Sequence, residues 1–282
     1  MMTYDCSPTL SDSQIIDFCR DGHLMLEGVI PEDINKQARQ FMDNHHEKGG
    51  MRQMGSLMKE DWFVDKVIRN PDAAGAVRSL LGPNYSEPEW LTWFRGEEPE
   101  SAGQWHIDGS SKWGPAVRTI KWYYIPSEAT EDTGPTIFVS GSHLAFNQVR
   151  FMAHYDAFRG TYKAIGPAGS IYITHYSIWH RRAKCLSRGI RYMLTSSMNR
   201  TAQPSRDWVR EDLDLGAVEF GRLEPRFGEQ FRAHQDGAHM YLWLCGKADR
   251  FQRPSGPGWP LPSNEGHNYE VPVGLLDEAR FT

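Results

Sequence analysis

Between residues 90 and 197 the chain runs as a series of short stretches rich in β-branched and aromatic residues, each set off by Gly, Pro or Ser. Trp90 to Arg95, Val117 to Ile125, Pro135 to Val139, Ser170 to His180 and Gly189 to Ser197 have strand composition. The turns between them are Gly109-Ser110-Ser111, the polar stretch from Ser127 to Gly134, Ser140-Gly141-Ser142-His143 and Gly166 to Gly169. Many short strands with helices before and after them bury their apolar faces best as two packed sheets. The expected fold is therefore mainly β (α+β): a jelly roll or cupin-like barrel with flanking N-terminal and C-terminal helices. The last two stretches, Ser170 to His180 and Gly189 to Ser197, read as an antiparallel hairpin.

On the N-terminal side, Thr9-Leu10-Ser11-Asp12 is a helix start, Asp21-Gly22 ends that helix, and His23 to Ile30 alternates as a strand. Pro31-Glu32-Asp33 opens a second helix through about His46. His45-His46 then sits in its last turn, where cations suit the helix dipole, and is read as solvated. Residues 47–70, with Gly49-Gly50 and three Met, read as a loop, either lying over a pocket or simply connecting; Pro71 to Leu81 reads as a helix stopped by Gly82-Pro83. After residue 204 come a Trp-bearing segment, an apolar helix from Gln235 to Gly246 and a Pro- and Gly-rich tail at 254–274. Tyr241, Trp243 and Leu244 read as core, and this third of the chain either caps a pocket or forms a homodimer surface. With no repeat or linker, residues 1–282 are expected to form one domain. Its core lies at about 85–200, with an N-terminal helical region at 10–82 and a C-terminal extension at 201–282.

A formal charge of −5 argues against nucleic acid or an anionic membrane as the main partner. The basic run Arg181, Arg182, Lys184, Arg188 is short and lies in the expected hairpin loop. A small-molecule substrate is the expected partner, and an anionic one needs a local basic pocket. Cys6, Cys19, Cys185 and Cys245 form no C-x-x-C pair, so neither a zinc site nor a disulfide framework is expected. The N-terminus has no basic segment leading into an apolar one, and the longest apolar run, Met240 to Cys245, is far too short to span a bilayer. The expected location is cytoplasmic.

The chemistry centres on Gln104-Trp105-His106-Ile107-Asp108-Gly109. In an extended segment His106 and Asp108 leave the backbone on one face, and an imidazole beside a carboxylate can fill two neighbouring positions of a divalent metal. A second imidazole from a distant strand would complete the two-His-one-carboxylate triad of non-haem Fe(II) oxygenases. H-x-D by itself is weak, since a surface His and a turn Asp ahead of Gly109 give the same letters. His180 adds weight. If the hairpin loop is centred between Cys185 and Leu186, His180 and Arg191 lie directly opposite, with Cβ atoms about 5 Å apart. A guanidinium there would grip the far end of a dicarboxylate chelating the metal. Arg188 falls in the loop. His175 has the opposite parity to His180 and is the alternative ligand; His143 reads as structural.

These features, together with the helix-strand-helix pattern around Leu10 to Phe41, the Gly134-Pro135 strand ending in Gly141-Ser142-His143, and Gly169 to His180, resemble the phytanoyl-CoA dioxygenase family over about residues 10–200. The resemblance implies a double-stranded β-helix and an oxygenase that uses Fe(II), 2-oxoglutarate and O2 and releases succinate and CO2. It implies that His106, Asp108 and His180 bind iron and that Arg191 holds the distal carboxylate of 2-oxoglutarate. Gln104 and an aromatic on the next strand, Tyr123 in preference to Trp122, match positions that contact the co-substrate. Arg182 is a departure, because relatives often carry a small or hydroxylated residue two after the distal His. Halogenating relatives lack the carboxylate, so Asp108 favours hydroxylation or another oxidation of the substrate. A cupin-like metalloenzyme that does not use 2-oxoglutarate, and a non-catalytic jelly-roll binding protein, are the other classes open to this sequence.

Overall fold

The computed structural model describes residues 2–45, 51–54, 56–97, 99–108, 115–144, 157–158, 161–221 and 227–251. Helix α1 (Asp12–Asp21) starts where the sequence signals it. The Ser11 hydroxyl accepts the Gln14 N–H, and the Gln14 side chain accepts the Ser11 N–H in return. Gly22 ends α1 in the left-handed region, at φ 77°, where a Cβ would also collide with the His143 ring. Helix α2 (Glu32–Asn44) follows Pro31 and ends at His45, whose Nδ1–H donates to the Phe41 carbonyl. His45 thus finishes its own helix, in line with the reading as a solvated last turn. A short turn, α3 (Asp61–Phe63), leads to α4 (Pro71–Leu81), capped by the Asn70 side chain and stopped at Gly82, and α5 (Phe227–Leu244) lies in the C-terminal region.

Strands β1 (Thr3–Tyr4) and β4 (Tyr85–Ser86) form a small ribbon. The larger sheet has the order β2 (His23–Leu26), β9 (Ser170–His175), β6 (Thr119–Ile125), β11 (Ile190–Asn199), β5 (Leu91–Glu97) and β3 (Met51–Met54). The smaller has the order β10 (His180–Arg182), β7 (Thr136–Val139) and β8 (Thr161–Lys163), and every pairing is antiparallel.

Strand alternation divides the interior. One face of the larger sheet, with Ile120, Trp122, Tyr124, Ile171, Ile173 and Leu194, packs under the helices against residues such as Phe18, Leu80 and Tyr241. The other face sends Tyr123, Ile125, Tyr172 and Met193 toward Phe138 of the smaller sheet. Each fully buried large side chain contributes roughly 1.5–3 kcal/mol. The fold is therefore two facing sheets with a helical layer over one of them, and the space between the sheets is where a site forms.

The helical layer is tied down through one carboxylate. Asp12 is wholly buried and accepts from Arg206 Nε and Nη2 at 3.2 and 2.9 Å, Trp208 Nε1 at 2.6 Å, the Glu211 N–H at 2.8 Å and Tyr241 OH at 2.9 Å. Burial pushes its carboxyl up, but these hydrogen bonds outweigh burial, and its pKa falls below the ordinary value.

Several expectations are corrected. Ser170 to His180 is two strands in two sheets, and β11 pairs with β5 and β6, so the expected hairpin does not form. The break comes at His175, whose Nδ1 accepts the Ser177 N–H at 3.2 Å while its carbonyl accepts the Ile178 N–H at 3.1 Å. That turn carries the chain from the larger sheet to the smaller. The strand expected through Ile30 stops at Leu26, and the apolar helix expected from Gln235 begins at Phe227. The stretch read as a loop at 47–70 holds β3, α3 and adjoining helical turns, and it buries Leu57, Phe63, Val67 and Ile68. Gly49-Gly50, His46, the turn at Gly109-Ser110-Ser111 and the tail at 254–274 lie outside the described residues. Among the described residues no helix is long and apolar enough to cross a membrane.

Candidate metal centre

His106 and His180 meet as backbone partners. The His106 N–H donates to the His180 carbonyl at 3.0 Å and the His180 N–H to the His106 carbonyl at 2.9 Å, which sets the rings 4.3 Å apart. The segment from Glu100 to His106 therefore runs beside β10, and His180 has His106 on one side and Phe138 of β7 on the other. Arg191 is not its partner; Arg191 lies opposite Gly96 on β5.

Both rings are oriented by the same device. His106 Nδ1 lies 2.9 Å from the Gln104 carbonyl, and His180 Nδ1 lies 3.1 Å from the Ile178 carbonyl, in each case two residues back. A carbonyl only accepts, so Nδ1 carries the hydrogen and Nε2 of the neutral ring presents a lone pair. Burial drives the His180 pKa down to about 4 against the pull of Asp108, which keeps that imidazole neutral and able to ligate. Asp108 Oδ2 stands 3.8 Å from His180 Nε2. One ligand atom each from His106, Asp108 and His180 all lie within 4.8 Å of one another, and this is the one such cluster of His, Cys, Asp or Glu among the described residues. His106 is exposed, Asp108 half-buried and His180 buried, so the cluster opens to solvent on one side. Two imidazole nitrogens and one carboxylate oxygen on one flank, with the other flank open, fit a first-row divalent ion.

Other predicted residues separate by strand parity. Tyr123 faces the space between the sheets, 6.3 Å from the His180 ring, whereas Trp122 faces the helices. Burial first, and then the Asp108 charge, hold the Tyr123 phenol well above its ordinary pKa, so it stays protonated. The Gln104 side chain is exposed, and the contact of this residue with the site is its carbonyl. Arg188 is exposed. His175 packs with Phe18 and His143 on the helical side, away from the cluster, and His143 is buried with Nε2–H donating to the Cys19 carbonyl at 3.0 Å.

Arg191 reaches between the sheets from β11, with Nη2 at 3.4 Å from Thr136 Oγ1. Thr136 is two residues from Phe138 on β7, so this contact lies about 7 Å along the strand from the level of His180. That is the length of a short dicarboxylate. Burial and then Arg182 lower the Arg191 guanidinium to about 10, and a cavity beside it is lined by Ser127, Glu128, Thr133 and Thr136. Arg182 lies opposite Thr136, so its side chain leaves β10 on the same face as His180, and its guanidinium is engaged by the Glu100 carboxylate and, at 2.7 Å, the Ser101 carbonyl. The sequence reading missed Lys121. Its Nζ is 3.2 Å from Asp108 Oδ2, and the signal that finds it is its parity with Tyr123 on β6.

Two antiparallel sheets enclosing a His, Asp, His cluster define a double-stranded β-helix with a candidate mononuclear metal centre. Similar solved structures share this fold. HygX from Streptomyces hygroscopicus, with nickel and 2-oxoglutarate bound, superposes with a TM-score of 0.57 at 16% identity, over 73% of this chain and 92% of that one. EctD from S. alaskensis, with 2-oxoglutarate and 5-hydroxyectoine, gives 0.55 at 16% identity over 71% and 79%. The non-heme alpha ketoglutarate dependent epimerase SnoN from nogalamycin biosynthesis gives 0.54 at 15% identity over 67% and 80%. In sequence, ectoine dioxygenase of Bordetella bronchiseptica is 22% identical over 159 residues, 49% of this chain and 51% of that protein. The chain thus spans about half the length of the curated relative it matches. No protein-family model matches it.

Proposed function

We propose that the protein is an Fe(II)- and 2-oxoglutarate-dependent dioxygenase of the phytanoyl-CoA dioxygenase type, oxidising a small molecule, most simply by hydroxylation. The observation that carries this reading is the convergence of His106, Asp108 and His180 within 4.8 Å, with both imidazoles held so that Nε2 is free to ligate. His106, Asp108 and His180 are the proposed ligands. When bound, Fe(II) with 2-oxoglutarate supplies the activation of O2 and the oxidation of an unactivated C–H bond, with succinate and CO2 as co-products.

The chain's own residues divide the remaining work. Arg191 would hold the distal carboxylate of 2-oxoglutarate, since a half-buried guanidinium at this remove from the cluster matches that end of the molecule. Tyr123 stands beside His180 in the space between the sheets and, being protonated, can donate a hydrogen bond there. Asp108 supplies the carboxylate ligand in the place where a halide would otherwise sit, which favours oxidation of the substrate over halogenation. Ligands in the structures of similar fold, 5-hydroxyectoine in EctD and hygromycin B in HygX, support a small-molecule substrate for this chain as well.

The test is an anaerobic titration of metal-free protein with Fe(II) and then 2-oxoglutarate, following the weak visible charge-transfer band of the chelated complex. A band that needs both components and disappears in His180→Ala and Arg191→Met supports the assignment. Metal binding without a band would move the protein to the cupin-like class, and no binding would leave a fold relative without the chemistry.

A further inference from the structure

We propose that Lys121 is a positioning residue that competes with the metal for Asp108 and so sets how tightly the centre holds a divalent ion; this rests on the metal site proposed above. Lys121 lies in the middle of β6, between Ser197 of β11 and Thr174 of β9, and shares the inward face with Tyr123. Its side chain is only 14% exposed, an uncommon place for an ammonium group, which is strongly hydrated and costly to bury without a counter-charge. Asp108 provides that charge, and the Lys121 Nζ contact at 3.2 Å is made to Oδ2, the same oxygen that stands 3.8 Å from His180 Nε2. The oxygen aimed at the imidazoles is the oxygen the lysine neutralises.

Two consequences follow from Coulomb's law. Without metal, Lys121 keeps the Asp108 carboxylate directed at His106 and His180 and balances its charge. With metal, the same oxygen is shared between a dication and an ammonium group, so loading the site works against a fixed positive charge. Loss of that charge should strengthen divalent binding, whereas simple damage to the site would weaken it. The sign separates the two.

The experiment is calorimetric titration of metal-free protein with Ni(II) under matched ionic strength, together with thermal unfolding of each variant with and without Ni(II). Lys121→Met is expected to bind Ni(II) roughly tenfold or more tightly than the unmodified protein, because even at a screened dielectric a neighbouring charge is worth more than a factor of ten. Its metal-free form should unfold at lower temperature and gain more from Ni(II), while Lys121→Arg should stay near the parent in both. Lys121→Gln serves as a second neutral variant and is read in the same two ways. Equal or weaker Ni(II) affinity in the neutral variants overturns the proposal. His106→Ala is run alongside: if the parent protein binds Ni(II) no better than His106→Ala, the metal centre itself fails, whereas intact parent binding with unchanged Lys121→Met affinity removes only the role of Lys121.

Discussion

Asp12 and Asp108 are two aspartates placed by the same fold to opposite ends. Asp12 opens α1 and is sealed against α5, and five donor groups close around it: two guanidinium nitrogens, an indole, a phenol and a backbone N–H. Asp108 is 22% exposed at its side chain and faces Lys121 and an imidazole whose lone pair points toward it. The first carboxylate serves structure, joining residues more than 190 positions apart. The second is kept where an incoming ion can still use it. Burial alone does not separate a structural acid from a functional one; the kind of group that faces it does, since five hydrogen-bond donors close around Asp12, whereas the Asp108 oxygen that meets Lys121 also stands beside an imidazole nitrogen able to ligate the same ion.

Asp12→Ala should strike hardest. It strands two buried ends of the Arg206 guanidinium, an indole N–H and a phenol, and should cost about 3–5 kcal/mol by chemical denaturation. The folded fraction should still bind Ni(II) with parent affinity, and a loss of affinity equal to that of Asp108→Ala would erase the contrast. Asp108→Ala should do the reverse, weakening Ni(II) binding by more than about a hundredfold while costing less stability than Asp12→Ala, because it strands one ammonium group rather than a guanidinium, an indole and a phenol together.

Acid provides a third comparison, between the histidines on the two sides of the larger sheet. His175 is held neutral by burial, with its pKa lowered from 6.5 to about 4, and its Nδ1 must stay unprotonated to accept the Ser177 N–H. A folded pKa below the unfolded one means that the unfolded chain takes up the proton first. This stability is fully present above pH 6.5 and is lost as pH falls toward 4, by about 2 kcal/mol between pH 6.5 and 5. The fall in unfolding midpoint across that range should become shallower in His175→Gln, which keeps an acceptor but does not titrate, while the share carried by His180 on the other side of the sheet, also lowered to about 4, remains. The smallest effect concerns Arg182. Arg182→Met removes a cation beside Arg191 and should weaken 2-oxoglutarate binding about tenfold while leaving Ni(II) affinity alone, as read from the charge-transfer titration.

Much of the fold is legible because turn chemistry and composition are local. The Ser11 capping box, Pro31, Asn70 and the Gly82 stop place helices, and the aromatic stretch at β6 and the short run at β7 place strands. The hairpin is misread because Ser170 to His175 and Ile178 to His180 are buried throughout, so no alternation marks the point where the chain changes sheets. What marks it is a histidine side chain turned back on its own loop, which the letters do not show. In the same way, the H-x-D spacing of His106 and Asp108 is visible in the sequence, but the backbone bridge that brings them to His180 is a long-range pairing. Lys121 escapes notice because a lysine in a strand ordinarily points to water, and only the register assigns it inward.

Both ring orientations depend on the carbonyls of Gln104 and Ile178. Every amino acid, proline included, brings a carbonyl, so the aiming of the two imidazoles asks nothing of the side chains at positions 104 and 178. The instruction is written in backbone path, an alphabet that substitution does not edit. Substitution at 104 or 178 can therefore leave the orientation of the two rings in place, and two positions central to the centre's shape would look dispensable to anyone comparing letters.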